Sequence, residues 1–201
     1  MNQIMKDWYN RFCEGKSAVK VLPSTPNASE LAEAAAKLAY RASVLRALKM
    51  NGKNNEAKFA RQEGEKVIKN FLCEIYSSET VATIDFVAQT WETIYQIYKK
   101  QEIQDYTYGN AQKWVNMAIK YYAILLENFN VPSSKITTIP VFPVDRIMIN
   151  YIKKDLGVSF DGNWSDCKDL DALKEYIRKV NSKVNEKGLC LFDYELNAWN
   201  S

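Results

Sequence analysis

Two residues stand where catalytic chemistry is conceivable: Lys113, at the start of an apolar and aromatic stretch, and Asp145, two places after Pro143. A lysine is nucleophilic only when its amine is neutral, which desolvation or a nearby positive charge favours. The stretch following Gln112-Lys113-Trp114 reads as a helix, and the positive end of a helix disfavours an ammonium. Asp145 precedes another helical run and is placed as its N-cap, where backbone N–H groups keep a carboxylate ionised. The rest of the inventory narrows the options. There is no histidine, so Ser-His-Asp and Cys-His mechanisms and most transition-metal sites are excluded. Cys13, Cys73, Cys167 and Cys190 are scattered without a CxxC pair, which argues against zinc and against a disulfide framework. Any chemistry must come from Lys, Asp, Glu, Tyr or Cys, with no metal and no cofactor expected.

Residues 108–121, Tyr-Gly-Asn-Ala-Gln-Lys-Trp-Val-Asn-Met-Ala-Ile-Lys-Tyr, and residues 142–147, Phe-Pro-Val-Asp-Arg-Ile, resemble the active-site half of the helix-hairpin-helix DNA glycosylases. They are most similar to the archaeal-type 8-oxoguanine glycosylases and their bacterial relatives. In that superfamily a lysine near the start of one helix is followed by a Pro-Val-Asp step opening the next. Gln112-Lys113, Lys120 and Pro143-Val144-Asp145 stand in that order, and the resemblance spans about 40 residues. It implies DNA as partner, removal of a damaged or modified base, and β-lyase activity through a lysine Schiff base. Lys113 would then attack C1′ while Asp145 steadies the cationic sugar. A base flipped out of the stack would meet Tyr108 and Trp114, with Gln112 reading an edge. Lys120, two turns along from Lys113, would contact DNA phosphate, as would Arg146, Lys153 and Lys154. One departure is plain. The superfamily hairpin carries a Gly-x-Gly turn, whereas this chain has no glycine between Gly109 and Gly157, so the hairpin is modified.

The elements that must position these residues read as helices throughout. A single all-α domain over residues 1–201 is expected, with six to eight helices and lobes at 1–100 and 101–201. After an aromatic N-terminal segment (Trp8, Tyr9, Phe12), Asn27 with Glu30 predicts a capped helix start. Leu31, Ala35, Leu38, Val44, Leu45 and Leu48 then recur at helical spacing up to a stop at Asn51-Gly52. Further helices are expected at 55–76, from a Ser77 or Ser78 cap through Val81 to Ile97, at 108–128, at 146–154, and at 168–184. A short closing helix is expected at 192–199. Prolines at 132, 140 and 143 make the intervening stretch extended and irregular.

Apolar residues form 47% and charged residues 25% of the chain, the mix of a globular domain. No run is long enough to span a membrane, and the N-terminus lacks the pattern of a secretory signal, so the expected location is the cytoplasm. A net charge of +3 permits a nucleic-acid partner without requiring one. Alternative readings stay open here. Lys113 also fits an ordinary surface lysine, and Trp91, Trp114, Tyr121 and Tyr122 fit a core stripe. The chain as a whole also fits a non-catalytic helical module that binds DNA or protein, for instance in a defence or mobile-element system.

Overall fold

The computed structural model describes residues 3–43 and 54–199. Among them are ten α-helices, one short 3-10 helix and one π turn, and no strand. In chain order the helices are α1 (Gln3–Trp8), α2 (Ser17–Lys20), α3 (Ala28–Ser43), α4 (Asn54–Ser77), α5 (Ile84–Lys100), α6 (Tyr108–Asn128), α7 (Ser134–Thr137), α8 (Arg146–Leu156), α9 (Leu170–Glu186) and α10 (Leu191–Ala198). The π turn, Tyr9–Cys13, continues α1, and the 3-10 turn, Trp164–Asp166, lies between α8 and α9. No helix among the described residues is long and apolar enough to cross a membrane.

Local chemistry accounts for most boundaries. At the start of α3 the Glu30 N–H donates to Asn27 Oδ1 (3.0 Å) and the Asn27 N–H to Glu30 Oε2 (2.8 Å), a reciprocal capping box. The Asn51-Gly52 stop and the periodic positions Val44, Leu45 and Leu48 lie outside the described residues. Helix α5 begins later than a serine cap predicts. The Ser78 hydroxyl accepts from the Thr80 N–H (3.1 Å), a local turn, and Thr83 becomes the cap through the Phe86 N–H (3.3 Å). Val81 is therefore exposed and outside the helix. Helix α8 stops at Gly157, whose φ of 68° is the left-handed conformation a glycine tolerates. The helices that periodicity did not predict are α1, α2 and α7, of four to six residues. Two turns or fewer are too short to display a 3.6-residue pattern.

Helix α6 is the axis of the protein. It packs most extensively on α3, and also on α5, α4, α1 and α7. Every residue from Gly109 to Leu126 is buried, with Lys113 as the single exception. A helix apolar on all faces belongs at the centre of a core, and the polar residues carried inward with it must find partners there. Trp114 shows how closely the neighbours approach. Its ring lies against Gly64 of α4, where a Cβ would come within 2.5 Å, and its indole N–H donates to the Ala36 carbonyl of α3 (3.0 Å).

Candidate active site

Lys113 and Asp145 meet. Lys113 Nζ lies 3.2 Å from Asp145 Oδ2, with the two side chains 17% and 6% exposed. The two carboxylate oxygens divide their work. Asp145 Oδ1 accepts the Ile147 and Met148 N–H groups, each at 3.0 Å, and so caps α8, leaving Oδ2 for the lysine. A carboxylate held by two amides at a helix N-terminus cannot turn away without uncapping that helix. The ammonium also sits 4.7 Å from the centroid of the Trp164 ring.

The register between the two residues is set by a pair of amides on α6. Gln112, immediately before Lys113, clamps the backbone immediately before Asp145. Its Nε2 donates to the Val144 carbonyl (2.8 Å) and to the Gly109 carbonyl (2.9 Å), and its Oε1 accepts the Val144 N–H (3.0 Å). One turn on, Asn116 Nδ2 donates to the Phe142 carbonyl (2.8 Å) and to Gln112 Oε1 (3.2 Å), while its Oδ1 accepts the Trp91 indole N–H (3.1 Å). The extended segment leading to Asp145 is buried where regular secondary structure is absent, so its peptide groups depend on these amides. Gln112→Ala leaves both Val144 peptide groups unpaired in the interior. We expect it to lower the unfolding free energy by about 2–4 kcal/mol in a urea titration; a loss under about 1 kcal/mol would mean that water replaces the clamp.

A second ion pair lies deeper. Lys120 and Glu195 of α10 form a buried salt bridge, their side chains 1% and 2% exposed. Trp8 and Trp199 enclose the ammonium, at 3.6 and 5.4 Å from their ring centroids, and meet each other edge to face at 5.7 Å. Burial pushes the Lys120 ammonium below its usual value and the Glu195 carboxyl above its own, each opposed by the other's charge. The Asp145 charge also acts on both, favouring the Lys120 ammonium and opposing the Glu195 carboxylate.

Four expectations for individual residues need correction. Gln112 does not present its amide to a ligand, because it is fully buried and bonded to backbone. Trp114 is core, wedged between α3 and α4. Tyr108 stacks on Tyr95 at 4.1 Å and donates its hydroxyl to Glu92, so ring and hydroxyl are both engaged by α5. Lys120 cannot touch DNA phosphate from the interior, where its ammonium is paired with Glu195. Arg146, Lys153 and Lys154 are exposed. Arg146 is at the Asp145 end of α8 and the two lysines are in its last turn, roughly 10 Å further along the axis.

Sequence reasoning gave no role at the site to four residues that shape this region, reading Trp164 and the 192–199 segment only as fastenings of the C-terminal part. Trp8, Trp199 and Glu195 lie near the two ends of the chain, and nothing local links them to Lys120. The signal that was present is Lys120 itself, a lysine within an otherwise uninterrupted apolar run, Trp114 to Leu126, apart from Asn116. The fourth residue is Trp164, whose loop is fastened to the first turn of α6. Thr107 Oγ1 donates to the Ser165 carbonyl (2.7 Å), and the Gly109 N–H donates to the Cys167 carbonyl (3.3 Å). Gly109 is the point of closest approach, where a Cβ would stand 1.7 Å from the Trp164 carbonyl oxygen. Because that neighbour is backbone, Gly109→Ala must push the loop off the helix. A melting experiment should show a loss of about 1–3 kcal/mol; an unchanged melting temperature would mean that the loop is not seated there.

Fold and site together define an all-α protein with a lysine–carboxylate pair at the one open position between Gly109 and Leu126 of a buried central helix. The chain matches no protein-family model, and no curated protein or solved structure matches it significantly.

Proposed function

We propose that this protein is a DNA glycosylase of the helix-hairpin-helix kind, acting on a damaged or modified base with Lys113 as nucleophile and Asp145 as its electrostatic partner. The observation that carries this reading is the geometry of the pair. Between Gly109 and Leu126 Lys113 alone breaks the burial of α6, and it does so against a carboxylate whose other oxygen is committed to a helix cap. An ammonium has no lone pair to give, so its proton must leave before attack, and the departing base is a ready acceptor. The nitrogen lone pair then forms the bond to C1′, and the bond from C1′ to the base breaks with its electrons going to the base, which is protonated. A proton shifts from the lysine nitrogen to O4′ as the C1′–O4′ bond opens, which gives the iminium and a 4′ hydroxyl. Loss of a C2′ proton expels the 3′ phosphate by β-elimination, and water hydrolyses the imine to free the lysine. Through these steps Asp145 Oδ2 opposes the positive charge that develops on the sugar.

Arg146 supplies an exposed cation next to Asp145 for phosphate. The connection from α5 to α6 has no glycine before Gly109 and places Glu102 at φ 54°, so it lacks the glycine turn that grips DNA through backbone N–H groups.

The test is borohydride trapping on duplexes carrying 8-oxoguanine, other modified bases or an abasic site. A covalent adduct supports the reading. If no duplex gives an adduct and DNA binding shows no salt dependence, the protein is instead a helical interaction module.

A further inference from the structure

The Trp164 ring lies against Lys113, and the proposed chemistry does not employ it. It is half-buried, 4.7 Å from Nζ, and opposite Asp145 Oδ2 in the sense that the ammonium contacts both. Its loop is built to stay in place. Asn163 Oδ1 caps the 3-10 turn through the Ser165 N–H, Thr107 and Gly109 bind the carbonyls of Ser165 and Cys167, and the absent Cβ at Gly109 lets the Trp164 peptide lie directly on α6. Thr107 serves twice, since its hydroxyl also accepts the Asn110 N–H as the α6 cap. The loop carrying the indole and the helix carrying the lysine are thus joined within two turns of Lys113.

A lysine reaches outward on four rotatable carbons, and one salt bridge of 3.2 Å constrains it weakly. An indole face attracts an ammonium without removing its proton, and tryptophan does so best among aromatic side chains. We propose that Trp164 is a positioning residue for Lys113, its ring face and Asp145 Oδ2 together holding Nζ at the point from which it reaches C1′. This rests on the Schiff-base reading above. Substrate binding displaces neither group; the sugar enters beside an amine already aimed, which is where an enzyme gains from lost orientational freedom.

Two measurements on the full chain test it, with Trp164→Leu and Trp164→Phe compared with wild type. Leucine keeps apolar bulk and removes the aromatic face, while phenylalanine restores a face. In single-turnover borohydride trapping on an abasic-site duplex, Trp164→Leu should slow adduct formation about tenfold with DNA affinity changed by less than about twofold, and Trp164→Phe should recover most of the rate. In the second, lysines are reductively methylated with carbon-13, which keeps their charge. The Lys113 resonance, identified by its absence in Lys113→Arg, should be displaced by the indole ring current and return to the common lysine position in Trp164→Leu. An undisplaced resonance overturns the proposal without any appeal to activity. A displaced resonance with wild-type trapping rates in Trp164→Leu also overturns it, and leaves the glycosylase reading intact. Equal slowing in both variants with a lowered melting temperature reduces Trp164 to a structural role, again overturning it. A wild type that never forms an adduct, with the resonance displaced, overturns the glycosylase reading itself and removes the catalytic consequence of Trp164 with it.

Discussion

Lys113→Gln is expected to abolish the borohydride-trapped adduct while leaving a folded protein. The lysine can be removed cheaply because its side chain is partly exposed and Asp145 keeps both amide bonds of the α8 cap. Loss of the ion pair should cost about 1 kcal/mol or less. Adduct formation, by contrast, has no substitute for a missing amine. The companion variant isolates the charge. Asp145→Asn retains an N-cap of equal quality but presents an amide to the developing sugar cation, so single-turnover trapping should fall by about 10²–10³-fold with little change in melting temperature. Asp145→Ala should lose activity and also about 1 kcal/mol of stability with the cap. An undiminished adduct in Lys113→Gln would move the nucleophile to another amine and end the assignment. If Asp145→Asn trapped at the wild-type rate, Asp145 would be a cap and nothing more.

Lys120→Met is expected to be the most destabilising single change, by about 3–5 kcal/mol, because it leaves the Glu195 carboxylate buried without a cation. Against the roughly 5–15 kcal/mol that holds a domain of this kind together, that is a large fraction. The double variant Lys120→Met with Glu195→Leu should recover most of the loss, since an apolar pair of similar volume is often as stable as the ions it replaces. The single variant also carries a pH signature. Burial raises the Glu195 carboxyl above its unfolded value, so the folded state binds a proton that the unfolded state does not. Stability therefore rises as pH falls through the raised value and is lost as pH climbs above it. Urea titrations should find Lys120→Met less impaired at pH 5 than at pH 8. A double variant as unstable as the single one would show that Lys120 acts through its stem and the two indoles, not through Glu195.

The chain's helical character was legible in its periodicity, and several ends were legible in single residues. Asn27 with Glu30, Asp145 and Gly157 act through neighbours a few positions away, so their roles follow from local bonding rules. The α5 start was misplaced because Ser77, Ser78 and Thr83 are all competent caps, and only the path of the connection selects Thr83. The same limit explains the site residues. Gln112, Tyr108 and Trp114 are polar or aromatic groups beside Lys113, and from the sequence they read as ligand contacts. On a helix, however, neighbouring positions face different ways, and here those faces meet the 142–144 backbone, α5, and the α3–α4 contact.

By itself, then, the sequence determined that the protein is helical, that histidine chemistry is excluded, and that a carboxylate caps the helix after the proline-rich stretch. Tertiary structure alone decided that Lys113 is the one opening in α6 between Gly109 and Leu126, that the Gln112 and Asn116 amides hold the approach to Asp145, and that Lys120 is closed inside a box built from both ends of the chain. Pairings of that kind depend on which surfaces pack together, and a lysine's sequence neighbours carry no record of the distant carboxylate or indole that burial will bring to it.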